Sequence, residues 1–189
     1  MSTPRAAYHE KELIRQCLKG RANAQRELYE HFAPKMFAVC LRYAKNRHNA
    51  EDILQEGFIK VFKYLKNFRG DGSFEGWMRR IFVNTAIEHY RKNSKVYSVQ
   101  DIPVDYQETT ANPAIQNMTV DELLELVKRL PNGYRMVFNL YVMEGLNHRE
   151  IAEELGISEG TSKSQLARAR AQLQKMIAER ELKEYGTAI

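Results

Sequence analysis

The sequence predicts an all-α fold: two small helical domains, an N-terminal helical bundle and a C-terminal helix-turn-helix domain, joined by a flexible acidic linker. Three observations carry this. Apolar residues recur near a 3.6-residue period through most of the 189 residues, and no β-alternation stands out. The pattern is lost over 94–118, which holds Pro103, Pro113 and short polar residues. The charge divides with the pattern. Residues 1–95 carry 19 Lys/Arg against 10 Asp/Glu, 96–127 carry six acids and no base, and 128–189 carry 10 bases against 8 acids, giving consecutive blocks of net +9, −6 and +2. The predicted domains are therefore 1–95 and 119–189, with 96–118 as the linker.

Within the first domain, Asn23 to Lys45 places Leu28, Phe32, Met36, Val39, Cys40 and Tyr43 on one helical stripe. Pro34 lies inside it and predicts a kink or a break. Ala50 to Lys66 follows, with Leu54, Phe58, Val61, Phe62 and Leu65 on one side, Asn49 as N-cap, and Glu51 and Asp52 in the first turn. Phe68 to Gly76 holds three glycines in nine residues and reads as a loop. A third helix to about Lys92 carries Phe74, Trp77, Met78, Ile81, Phe82 and Thr85 on its apolar face. Beyond the linker, Thr119-x-x-Glu122 reads as a capping box. That helix stops at Leu130-Pro131-Asn132-Gly133, and another spans Tyr134 to Met143.

The composition excludes several classes. With 43% hydrophobic and 28% charged residues the chain is neither disordered, collagen-like nor membrane-spanning. Its most apolar runs, Met36 to Leu41 and Val137 to Met143, fall far short of the ~20 residues a spanning helix needs. Charges occupy the N-terminus where a signal peptide needs its apolar stretch. Cys17 and Cys40 have no CxxC or Cys/His neighbour, which argues against a disulfide framework or structural zinc and makes a reducing cytoplasm the default. The basic blocks suit a polyanion such as nucleic acid, although solvated helix faces give the same totals.

The most specific local signal runs from Asn147 to Lys175. A short helix, His148 to Leu155, turns Ile151, Ala152 and Leu155 inward, and the small Ala152 lets a second helix cross closely. Gly156 supplies the left-handed residue that ends the first helix, Ile157 fills the junction, and Ser158 caps the second. Leu166, Ala169 and Leu173 hold the second helix on the core. From Gly160 to Lys175 there are four bases (Lys163, Arg168, Arg170, Lys175) and no acid. Thr161, Lys163, Ser164, Gln165 and Arg168, read as exposed, are side chains that bond phosphates and base edges, as on a helix lying in a major groove. An ordinary αα-corner uses the same turn residues but does not account for the charge asymmetry.

The N-terminal domain carries its own constellation. In AEDILQEGFIKVF, Ala50 to Phe62, Asp52, Gln55 and Glu56 share a polar face at i, i+3 and i+4. The loop FRGDGSFEGW, Phe68 to Trp77, comprises Phe68, Arg69, Gly70, Asp71, Gly72, Ser73, Phe74 and Trp77 among its members. Its aromatics suit either base stacking or the core. Arg79, Arg80, Arg91 and Lys92 follow on the next helix and suit phosphates.

Together these motifs resemble the bacterial sigma-factor family, specifically its small two-domain extracytoplasmic-function (ECF) type, over residues 8–180. AEDILQEGFIKVF resembles the segment that docks on the clamp coiled coil of RNA polymerase. FRGDGSFEGWMRRIFVNTA resembles the segment that opens and reads the minus-ten element, and LNHREIAEELGISEGTSKSQLARARAQL the minus-thirty-five reader. The resemblance implies a promoter-recognition subunit with no catalysis, no cofactor or metal, and no small-molecule substrate. Its implied partners are core RNA polymerase, promoter DNA as upstream duplex and as single-stranded minus-ten region, and a membrane-linked anti-sigma factor.

The resemblance also assigns roles. Asp52, Gln55 and Glu56 would bind core polymerase. Phe68 through Gly76, Trp77, Arg80, Asn84, Arg91 and Lys92 would serve the minus-ten element, with Asn84 reading a flipped base. Arg149, Thr161, Lys163, Ser164, Gln165 and Arg168 would serve the upstream element, and the acidic linker would thread polymerase channels. The chain departs from the family where Ser162 replaces an apolar anchor and Gln165 an arginine. The latter shifts the expected preference from guanine toward adenine. A conventional dimeric helix-turn-helix regulator lacks the docking motif. A metal enzyme built on His48, Asp52 and Glu56 lacks a second ligand-bearing helix.

Overall fold

The computed structural model describes residues 4–94 and 118–185. Eight α-helices occur among them, and the chain divides into two compact units, Met1–His89 and Tyr90–Ile189. The predicted linker lies outside the described residues except for Met118.

The first unit is built from α1 (Pro4–Leu18), α2 (Ala22–Tyr43), α3 (Arg47–Tyr64), a single 3₁₀ turn (Leu65–Asn67) and α4 (Phe74–Ser94) as far as His89. The predicted stripe on α2 is buried from Leu28 through Tyr43, joined by Ala24. Pro34 does not break this helix. It sits on the exposed side, where a carbonyl freed of its amide partner can be solvated. The start of α3 differs from expectation. The cap is Asn46, whose Oδ1 accepts the Asn49 N–H at 2.8 Å, so Asn49 lies inside the helix. An asparagine three residues ahead of an amide it can reach satisfies one of the orphan donors of the first turn.

Helix α1, which the apolar periodicity does not signal, contributes Leu13, Ile14 and Cys17 to the core. Phe58 meets Phe82 edge-on at 5.2 Å, and Phe32 meets Phe74 likewise at 5.6 Å. These pairs fix α4 against α3 and α2. The packing is close enough that a Cβ on Gly57 would lie 2.2 Å from the Phe82 ring. Both cysteines are buried and free.

The second unit comprises α5 (Val120–Lys128), α6 (Asn132–Val142), α7 (His148–Leu155) and α8 (Glu159–Tyr185). Thr119 and Glu122 form the predicted capping box, and Glu122 also bonds Arg180, tying α5 to α8. Arg135 is buried. Its guanidinium donates to the carbonyls of Lys128 and Leu130 and to the Asn132 side chain, which satisfies the C-terminal end of α5. Val137, Leu140, Ile151, Leu155, Leu166, Ala169, Leu173 and Ile177 fill the core.

Candidate nucleic-acid interface

The helix-turn-helix follows from local chemistry. Asn147 and Glu150 cap α7 reciprocally, the Glu150 N–H donating to Asn147 Oδ1 at 3.0 Å and the Asn147 N–H to Glu150 Oε2 at 2.8 Å. Gly156 ends α7 in the left-handed region at φ 68°. Ser158 Oγ then accepts the Thr161 N–H at 3.0 Å and starts α8. Ile151, Ala152 and Leu155 of α7 and Leu166 and Ala169 of α8 are buried where the two helices pack.

The solvent side of α8 carries much of what the sequence placed there. Lys163 is exposed, 4.0 Å from Glu159. Thr161, Ser164 and Arg168 are half-buried, and the Ser164 hydroxyl donates to the Thr161 carbonyl at 3.0 Å. Arg149, at the start of α7, is exposed and paired with Glu153 at 3.3 Å. Gln165 differs. It is only 3% exposed, and its amide lies where a Cβ on Gly133 of α6 would approach within 3.3 Å. The reason is helical phase: Ser162, Gln165, Leu166, Ala169 and Leu173 lie on one side, so Gln165 belongs to the buried stripe and not to a base-reading face. Ser162, the departure from an apolar anchor, is fully buried and hydrogen-bonded to His148 Nδ1 at 2.9 Å.

In the first unit the predicted loop is shorter than its glycines suggested, because α4 starts at Phe74. The Gly76 N–H bonds Ser73 Oγ at 3.2 Å. Phe74 is 1% exposed, wedged among Phe32, Phe68 and Trp77, so it is core and not a base platform. Phe68 and Trp77 remain half-exposed, their rings 5.5 Å apart. Arg69, Gly70, Asp71, Gly72 and Ser73 are exposed, and Gly70 adopts φ 79°. Arg80, Asn84 and Arg91, at i, i+4 and i+11, share a solvent side of α4, with exposed Lys92 beside them.

On α3, Gln55 is exposed and Asp52 half-exposed, 3.8 Å from His48. Glu56 is more engaged. It bonds Lys60 at 3.1 Å and His89 of α4 at 2.9 Å, while Lys60 also reaches Glu88 at 2.8 Å. Lys60 and His89 were not singled out from sequence. The i, i+4 spacing signals Lys60, but His89 is brought in by tertiary packing alone. Ile59, one turn from Gln55, is 66% exposed. Among the described residues no group of three or more His, Cys, Asp or Glu side chains is arranged to hold a metal.

Residues 28–96 match sigma-70 region 2, and residues 120–173 match sigma-70 region 4. The ECF RNA polymerase sigma-E factor of Salmonella typhimurium (strain LT2) is 31% identical over 170 residues, covering 84% of this chain and 88% of the relative. The ECF RNA polymerase sigma factor SigE of Mycolicibacterium smegmatis is 32% identical over 158 residues, covering 80% of this chain but only 61% of the relative's length. A solved complex of the sigma factor RpoE with the anti-sigma factor NepR from Bartonella quintana aligns at 18% identity, covering 81% of this chain and 96% of that one, with a TM-score of 0.46. With both regions present in order and the Salmonella relative matched across most of its length, the chain belongs to the extracytoplasmic-function RNA polymerase sigma factors.

Proposed function

We propose that this sigma factor divides promoter recognition between its two units. The α3 face of Asp52 and Gln55, with Glu56 at its edge, docks on a basic surface of core RNA polymerase. The 68–73 loop, Trp77 and the Arg80–Asn84–Arg91–Lys92 side of α4 engage the opened minus-ten strand. Thr161, Lys163, Ser164 and Arg168, with Arg149, engage the upstream duplex. The protein acts in the cytoplasm, where the polymerase is, and contributes no catalysis. An anti-sigma factor holds it off the polymerase by covering these same faces.

The observation that carries this reading is the solvent side of α8. Lys163, Arg170 and Lys175 are exposed and Arg168 half-exposed, on a stretch without acids that a capped helix-turn-helix presents outward. Such a face is built for a polyanion, and in this chain it follows a unit that matches sigma-70 region 2. The reading is tested by capture of core RNA polymerase on immobilised full-length chain. Stoichiometric capture, competed by a second ECF sigma factor, supports docking at the shared site. Failure to capture core sinks it. Among the described residues no helix is long and apolar enough to cross a membrane.

A further inference from the structure

Lys163 and Ser164 of the upstream-reading face also border a space that His148 and Arg170 share. A groove of about 440 Å³ opens between the start of α7 and α8, lined by His148, Gly160, Lys163, Ser164, Ala167 and Arg170. His148 is positioned on two sides. Its Nδ1 is hydrogen-bonded to the buried Ser162 hydroxyl at 2.9 Å, and its ring stacks on Tyr141 of α6 at 4.9 Å and 27°. The guanidinium of Arg170 lies 5.7 Å from the centre of the same Tyr141 ring. Three basic side chains thus border a groove floored by Gly160, Ser164 and Ala167, whose short side chains admit a ligand close to the helix backbone.

The groups around His148 are accounted for on each element. Lys163, Arg170 and Glu159 face it from α8, Tyr141 from α6, and on α7 its neighbours Arg149 and Glu150 are occupied by Glu153 and the Asn147 cap. Glu159 offsets part of the Lys163 charge from 4.0 Å, leaving the groove net positive even with a neutral imidazole. Burial, then the charges of Lys163 and Arg170, hold the imidazole below its usual pKa, with Glu159 pulling the other way. A bound anion would cancel the repulsion from the two cations and favour the imidazolium.

We propose that this groove seats a backbone phosphate of the upstream duplex, held by Lys163, Arg170 and protonated His148, so that duplex binding takes up a proton at His148. This rests on the reading of α8 as a duplex-binding helix. It adds His148 and Arg170 to the contact set and makes affinity pH-dependent. The sign follows from linkage: the phosphate favours the protonated form, so binding is tighter at lower pH. A phosphodiester keeps its single negative charge over this range, so the DNA backbone does not supply the dependence.

The test is fluorescence-anisotropy titration of a short random-sequence duplex with the full-length chain at low salt. The measurement runs from about pH 5.5 to about pH 7.5, on wild type, His148→Asn and Arg170→Gln. Asparagine keeps a polar atom near the Ser162 hydroxyl and cannot take up the proton. Affinity of the wild type should fall about tenfold more steeply across that range than affinity of His148→Asn. At about pH 6, Arg170→Gln should reduce the slope of log affinity against log salt by about one. Helix content by circular dichroism controls for folding in both variants. Parallel pH curves for wild type and His148→Asn, or an unchanged salt slope for Arg170→Gln, overturn the proposal while leaving duplex binding intact. A wild type that binds no duplex at low salt overturns the reading of α8 and the proposal with it.

Discussion

Glu56 of α3 and His89 of α4, 33 residues apart in sequence, meet at 2.9 Å, and Lys60 closes the arrangement by bonding both Glu56 and Glu88. The carboxylate at the edge of the docking face is therefore also a clasp between two helices. Replacing it disturbs the fold and the interface together, so the docking assignment is better tested beside it.

Asp52 and Gln55 supply that test. Asp52 is half-exposed, 3.8 Å from His48, and Gln55 is exposed. Asp52→Arg with Gln55→Ala should leave the melting temperature nearly unchanged, as surface substitutions cost within about 0.5 kcal/mol. Binding to core polymerase should weaken at least tenfold, because reversing a charge on an acidic face opposes a basic partner. Glu56→Arg should instead lower the melting temperature, since it sets a cation against Lys60 and removes the carboxylate that bonds His89. Calorimetry and a core-binding titration on both variants separate the two effects. Unaltered core affinity of the double variant would place docking elsewhere.

Two glycines are required for different reasons. At Gly57 the obstacle is space, since a methyl group would enter the Phe82 ring. Gly57→Ala should destabilise the first unit by about 1–3 kcal/mol, as overpacked cores do. At Gly156 there is room, but the backbone is left-handed at φ 68°. Gly156→Ala should cost about 1–2 kcal/mol in the second unit. Urea unfolding followed by circular dichroism measures both. A neutral Gly57→Ala would show that α3 and α4 pack less closely than described.

Gln165 Oε1 is buried without a hydrogen-bond partner among the described residues. Gln165→Met keeps the length of the side chain and removes that acceptor, so stability of the second unit should hold or rise by about 1 kcal/mol. The set of upstream sequences selected from a randomised duplex pool should not change. A shifted base preference would restore Gln165 to the reading face.

Asn84 is exposed on the same side of α4 as Arg80 and Arg91. Asn84→Ala should leave unfolding unchanged and relax discrimination at one minus-ten position by about 1–3 kcal/mol. Transcription from a panel of single-base promoter variants measures this. Uniform loss across the panel would mark Asn84 as a backbone contact.

The second unit was largely legible in the sequence because its determinants are local. The Thr119 and Ser158 caps, Gly156 and the small Ala152 each act within a few residues. The first unit was legible in its stripes but not in its pairings. The Glu56–His89 contact and the Gly57–Phe82 approach need the mutual placement of α3 and α4. Gln165 was misread because it borders the apolar stripe, one position before Leu166, where polarity suggests exposure and phase dictates burial. By type and position Phe74 suits either a base platform or the core, and packing against Phe32 makes it core. In α1 the buried Leu13, Ile14 and Cys17 show an i, i+1, i+4 pattern too short to stand out between charged neighbours.

Promoter-directed initiation by this chain is read out by run-off transcription. Purified core RNA polymerase is supplied with promoter fragments from the source genome, with and without the full-length chain. Defined transcripts from a subset of promoters should appear only when the chain is present, and Asp52→Arg with Gln55→Ala should abolish them. Transcripts that are the same with and without the chain would show that it does not direct initiation.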